Sequence, residues 1–145
     1  MKRHNWLLAA REFLEQRHIV RPLADSQGSL DSWFQSRSGQ VLLHRERAML
    51  EHMMPGSGAH RLMYLGASSN RLLVGDFNHL QSFSIGASAV LPGCASAIAD
   101  FDALPLPSET IDTVVLHHAL EFSAYPHEVL NEVARVLTPC GHVVI

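Results

Sequence analysis

Ala99-Asp-Phe-Asp-Ala-Leu-Pro-Leu-Pro107 followed by Ile111-Asp-Thr-Val-Val-Leu-His-His118 is the stretch that decides the fold. A helix-like segment after Pro126 and a second apolar run, Val143-Val-Ile145, complete the order strand, turn, strand, helix, strand. Thr113 to Leu116 and Val143 to Ile145 are apolar and β-branched without alternation, as parallel strands are when helices cover both faces. An α/β fold with a doubly wound, mostly parallel sheet is expected.

Within that stretch, Pro126 suits the first turn of a helix, and Val129, Leu130, Val133, Val136 and Leu137 form the stripe that packs on the sheet. Glu132 and Arg135 lie three apart and can pair on its surface, worth only tenths of a kcal/mol if exposed. Pro139-Cys140-Gly141 ends the helix and turns the chain into the fifth strand.

Upstream, Arg61-Leu-Met-Tyr-Leu65 reads as the first strand with Gly66 as its turn, Gln81 to Gly86 as the second and Ala95 to Ala99 as the third. Leu42, Leu43, Glu46, Met49, Leu50 and Met53 mark a helix from Val41 to Met54, stopped by Pro55-Gly-Ser-Gly58. Residues 21–40, rich in Ser, Gln, Gly and Asp around Trp33-Phe34, read as a connecting loop with one anchored aromatic turn. Trp6, Leu7, Ala10, Phe13 and Leu14 recur at helical spacing and predict an amphipathic helix, either a lid or an edge element. The expected organisation is therefore an N-terminal helix and connecting loop over residues 1–40, then a partial domain over 41–145.

The chain has 145 residues, 47% of them hydrophobic, and a net charge of -3. That length holds one domain, and the charge lacks the basic excess that phosphate-tracking binders need, so no nucleic-acid partner is expected. Met1 to Ala10 begins like a signal peptide, but Arg11 and Glu12 cut the apolar run short, and nothing else approaches a membrane span. Cys94 and Cys140 stand in no ligand-like spacing and read as thiols in a reducing cytoplasm. The ten histidines form no ligand pair at helical or finger spacing, so no metal is expected. Ile145 ends the sequence inside an apolar strand, whose buried carboxylate and open edge are unfavourable, and a longer parent protein or a truncated product is expected.

Ala99-Asp100-Phe-Asp-Ala-Leu-Pro-Leu106, Ile111-Asp-Thr-Val-Val-Leu-His117, Leu120-Glu121, Glu132-Val-Ala-Arg-Val-Leu137 and Pro139-Cys-Gly-His-Val-Val-Ile145, in this order and spacing, resemble the class I S-adenosylmethionine-dependent methyltransferases, within them the methyltransferase type 11 group. The resemblance implies a Rossmann-like methyltransferase fold, incomplete on its C-terminal side, and S-adenosylmethionine as cofactor. It implies cofactor contacts from Leu65, Gly66 and Ala67 after the first strand, from Asp100 and Phe101 after the third, and from His117 at the end of the fourth. Asp100 would accept from the adenine amine while the Phe101 amide donates to a ring nitrogen. A turn-capping role for Asp100 is equally open.

Two departures weaken the expected binding. The family's first loop, Asp-x-Gly-x-Gly-x-Gly, is here Tyr64-Leu-Gly-Ala-Ser-Ser-Asn70, which keeps only Gly66. No carboxylate ends the second strand around Ser84-Ile-Gly-Ala-Ser88, where the family holds the ribose; the loss costs about 1.5–3 kcal/mol. Asp76 is the nearest candidate to replace it. His117 and His118 should point to opposite faces, one toward a substrate, or else serve as core or helix-start histidines. No catalytic residue is assigned, because an activated sulfonium mainly needs alignment and exclusion of water.

The function expected is methyl transfer to a small-molecule acceptor, by a cytoplasmic protein whose oligomeric state the sequence leaves open. The alternative is an inactive methyltransferase-like binding or regulatory module. A nicotinamide-dependent oxidoreductase would share the architecture but lacks the Gly-x-Gly-x-x-Gly fingerprint after the first strand.

Overall fold

Ile111–His117 (β4) and Arg61–Gly66 (β1) form the middle of the molecule and are buried along almost their whole length. The computed structural model describes residues 23–54, 61–66, 73, 77, 80–87 and 96–145. The expected N-terminal amphipathic helix, the stop at Pro55–Gly58, Ala67, Asn70, Asp76 and Cys94 lie outside them.

Gln81–Gly86 (β2) and Ala97–Ile98 (β3) extend the sheet beyond β1, and Leu137–Val144 (β5) extends it beyond β4, in the order β3-β2-β1-β4-β5. Every pairing is parallel, with Tyr64 opposite Ser84 on one side and Val115 on the other. The order reverses between β1 and β4, which is where open sheets of this kind leave a crevice beyond the carboxyl ends of their strands.

Both faces of β1 and β4 are covered, which is why these strands carry continuous apolar runs, whereas Val143 and Ile145, expected to be covered likewise, are exposed at the β5 edge. Met63, Leu65, Val114 and Leu116 pack on one face with Val129, Val133 and Val136 of the helix Pro126–Val136 (α3). Leu62, Tyr64 and Val115 pack on the other with Phe34 of Leu23–Phe34 (α1) and Leu43 and Leu50 of Arg37–Met53 (α2). Alternate residues of one strand thus feed two separate cores.

The helix α1 replaces the loop expected over residues 21–40. Its buried face is Leu23, Gln27, Asp31 and Phe34, and two polar residues among those four erase the apolar periodicity that would have revealed it. A tight joint, with the Ser36 N–H donating to Trp33 O at 2.9 Å, leads into α2. There Ser36 caps the helix by accepting from the Gly39 N–H at 3.2 Å, so α2 starts at Arg37 rather than Val41. A Cβ on Gly39 would lie 2.3 Å from Trp33 O, so only glycine permits this approach of α2 to α1.

β5 begins directly after α3, and the expected Pro139-Cys140-Gly141 turn lies inside it. Ile111 pairs with Leu137 and Thr113 with His142, so the strand bulges between them, with Cys140 at φ 73. None of the described helices is long and apolar enough to cross a membrane.

Candidate functional site

β3 releases the chain at Ala99, and the next residues are held by anchors on either side of Asp100. Phe101 and Leu104 are buried in the α3-side core, while the Ala103 N–H donates to Asp100 O at 3.2 Å and closes a turn. Asp100 itself stays exposed and, with Phe101, lines a cavity of about 170 Å³ beyond the carboxyl ends of the strands. Ala87 after β2, Ala119 and Phe122 after β4, and Val129 complete an apolar wall, and Leu23 and Ala24 of α1 close one side.

Glu132 and Arg135 strap this turn down. Arg135 donates from Nε and Nη2 to the two carboxylate oxygens of Glu132, both at 2.8 Å. Its Nη1 also donates to Leu106 O at 2.8 Å and its Nη2 to Leu104 O at 3.0 Å, and Glu132 accepts the Leu104 N–H at 2.9 Å. The Arg135 guanidinium, aided by that amide, holds the Glu132 carboxyl below its ordinary range. The pair expected to be a surface ornament of α3 therefore fixes the backbone that follows Asp100.

The other expected contacts disperse. Leu65 is fully buried in the α3-side core, and Gly66 closes β1 with the Tyr64 ring packed where its Cβ would stand, 2.5 Å away. His117 lies on the opposite face of the sheet, in a second cavity of about 300 Å³ with Glu46, His118 and Glu121. Of the six residues, Asp100 and Phe101 come together, and Ala67 falls outside the described residues.

His117 and His118 do not diverge as strand alternation predicts. β4 ends at His117, and His118 takes a left-handed backbone, φ 51, that swings its ring back beside that of His117, with centroids 4.5 Å apart. Nε2 of His117 lies 3.1 Å from Glu46 Oε2 and Nε2 of His118 lies 3.2 Å from Glu46 Oε1. Burial pushes the His117 imidazole below its ordinary value, the Glu46 hydrogen bond opposes this, and His118 adds to the depression. The neutral ring then donates from Nε2 to Glu46 and accepts at Nδ1 from the Tyr64 hydroxyl, 2.8 Å away. Nδ1 of His118 faces Glu121 Oε1 at 3.0 Å; burial raises the Glu121 carboxyl, but this contact and its backbone hydrogen bond outweigh it and lower it.

Glu46, Tyr64 and Glu121 escape a reading of the sequence. Glu46 sits on α2, and nothing local indicates that it will meet residues 71 and 72 positions away. The donor atoms of Glu46, His117 and His118 all lie within 4.8 Å of one another, a grouping able to hold a metal ion that spacing along the chain did not suggest.

Residues 56–145 match the family model for the methyltransferase domain, Methyltransf_11. No curated protein matches the sequence. Among solved structures, a chain from the complex between the Haloferax volcanii Trm112 methyltransferase activator and a methyltransferase is 23% identical at a TM-score of 0.60, covering 79% of this chain and 57% of that one. An S-adenosylmethionine-dependent methyltransferase from Thermotoga maritima is 17% identical at a TM-score of 0.60, covering 83% of this chain and 57% of that one. The (4+2)-cyclase SpnF is 19% identical at a TM-score of 0.59, covering 75% of this chain and 46% of that one. These likenesses are of fold, and the chain spans 57% of the length of the first two structures.

Proposed function

The chain belongs to the methyltransferase-domain family, and from that premise we propose that it transfers a methyl group from S-adenosylmethionine to a small-molecule acceptor. The observation that carries this reading is Asp100, exposed at the tip of β3 and lining a crevice at the carboxyl edge of a parallel sheet. A carboxylate rim over an apolar wall of Phe101, Ala119 and Phe122 suits a flat purine with an exocyclic amine. In this reading Asp100 accepts from the amine, the Phe101 amide donates to the ring, and the Glu132–Arg135 strap keeps both in place. Leu23 and Ala24 make the segment before residue 41 a wall of the same crevice.

S-adenosylmethionine supplies a methyl group already activated on a sulfonium, which leaves alignment and exclusion of water to the protein. In this reading the residues present serve the base and not the ribose. Ser84 to Ala87, at the end of β2, include no carboxylate for the ribose hydroxyls, and weak affinity of this 145-residue chain follows.

Titration calorimetry with S-adenosylmethionine tests the reading. Binding in the millimolar to high micromolar range is expected, reduced about tenfold in Asp100→Ala, as loss of a charged hydrogen bond requires. Thermal unfolding of the variant should match the parent, since Asp100 is exposed. Equal heats from both proteins, or none from the parent, would overturn the assignment of this crevice to the cofactor.

A further inference from the structure

The geometry points to a binding site for a divalent transition-metal ion, zinc by its donor chemistry, formed by Glu46, His117 and His118. Two imidazoles and one carboxylate are a donor set that favours zinc and its first-row neighbours over magnesium or calcium. The spacing agrees with that chemistry. Donors bound at about 2.0–2.1 Å to one tetrahedral ion lie about 3.3 Å from each other; the two Nε2 atoms stand 3.1 and 3.2 Å from separate oxygens of Glu46 and one donor atom from each residue lies within 4.8 Å of the others, so a small inward shift closes them on one ion.

The partners of the remaining ring nitrogens select the same atoms. Nδ1 of His117 is engaged by the Tyr64 hydroxyl and Nδ1 of His118 by Glu121, so both Nε2 atoms face inward, with the outer groups that orient metal-bound histidines already in position. On binding, the Nε2 proton of neutral His117 moves to Nδ1, where it is donated to the Tyr64 oxygen, and Nε2 takes the ion. His118 holds a proton on Nδ1 toward Glu121, and any proton on the Nε2 that faces Glu46 is released to solvent as the ion binds. The left-handed backbone of His118, a conformation costing about 1 kcal/mol or more outside glycine, is what brings consecutive histidines onto one point.

Three protein ligands leave a tetrahedral ion one position short, and the cluster borders a cavity of about 300 Å³ whose other walls include Met49, Met53 and Leu120. Such a site takes a water molecule or an oxygen donor on an otherwise apolar ligand. The inference rests on donor geometry alone and stands apart from the cofactor crevice.

Titration of the full 145-residue chain with zinc chloride, paired with the visible absorption of cobalt(II) as a coordination probe, tests it. One ion per chain, ligand-field bands of a four-coordinate cobalt and a rise in unfolding temperature with zinc are expected. Glu46→Gln and His118→Gly should each weaken binding at least about tenfold. His118→Gly removes a ligand while relieving its own backbone, so a folded protein without the cobalt bands supports the site. No zinc binding by the parent, or undiminished binding by both variants, would overturn it.

Discussion

Two crevices open at the carboxyl edge of one sheet, on opposite faces, and they are built on opposite principles. The Asp100 crevice has an apolar wall, two exposed carboxylates, Asp100 and Asp102, and a backbone fixed from behind by Glu132 and Arg135. The Glu46 crevice is a closed polar network in which Tyr64, His117, His118, Glu46 and Glu121 engage one another. The first leaves its carboxylates exposed to a ligand. The second uses its polar groups on each other, so its side chains serve stability as well as any chemistry.

The sharpest way to break this contrast is at Gly66, the last residue of β1, whose missing side chain makes room for the Tyr64 ring. In Gly66→Ala the new methyl group would stand 2.5 Å from the Tyr64 ring, which in turn holds His117. A loss of up to about 3 kcal/mol in urea unfolding is expected, as for overpacked cores, together with weaker cofactor heats. Retention of both would show the crevices to be independent.

Glu46→Ala should fall next, by about 1–2 kcal/mol in the same assay, because two imidazole nitrogens lose their partner while some solvent reaches them. Asp100→Ala, by contrast, should alter binding and leave the midpoint alone. The same shift from both variants would erase the distinction between a ligand crevice and a structural network.

A smaller effect is expected from pH. Burial holds His117 neutral in the folded chain below the ordinary value of 6.5, so between the folded value and 6.5 the unfolded state carries more protons. Stability is then full above 6.5 and declines as pH falls through the folded value, with a limiting slope of about 1.4 kcal/mol per pH unit. Glu46 and Glu121 oppose this and His118 reinforces it. Unfolding midpoints of parent and His117→Gln, compared from neutral to mildly acidic pH, should converge on acidification; parallel curves would contradict the depressed imidazole.

The smallest change lies outside both crevices. Cys140→Gly relieves a left-handed backbone at φ 73 and should raise stability by about 1 kcal/mol or less. A neutral result would mean that the bulge in β5 yields to the side chain.

The fold and the two crevices were not equally legible in the sequence. β2 runs over the expected Gln81–Gly86, and β1 and β4 differ from expectation by a residue, because strands buried on both faces leave an unbroken apolar signature. α1 hid behind Gln27 and Asp31 on its inner face. Asp100 and Phe101 could be singled out through the family resemblance, because the motif that carries it, a strand end and its turn, is contiguous in sequence. The histidine cluster could not, since it needs α2 folded against β4 and an unusual φ at His118, neither of which spacing encodes. The same φ explains why the two rings converge when alternation sends them apart.

β3 contributes two residues, joined to β2 through the pairs of Ile85 with Ala97 and Gly86 with Ile98. The Ser96 and Ala99 amides add bonds to Ser84 O and Gly86 O on either side, and an edge this short should still open at a lower free energy than β1 and β4. The crevice beside it would then be a hinge-mounted pocket whose shape fluctuates at a small fraction of the global unfolding energy, and a purine arriving there would act as the missing fastener for the sheet margin.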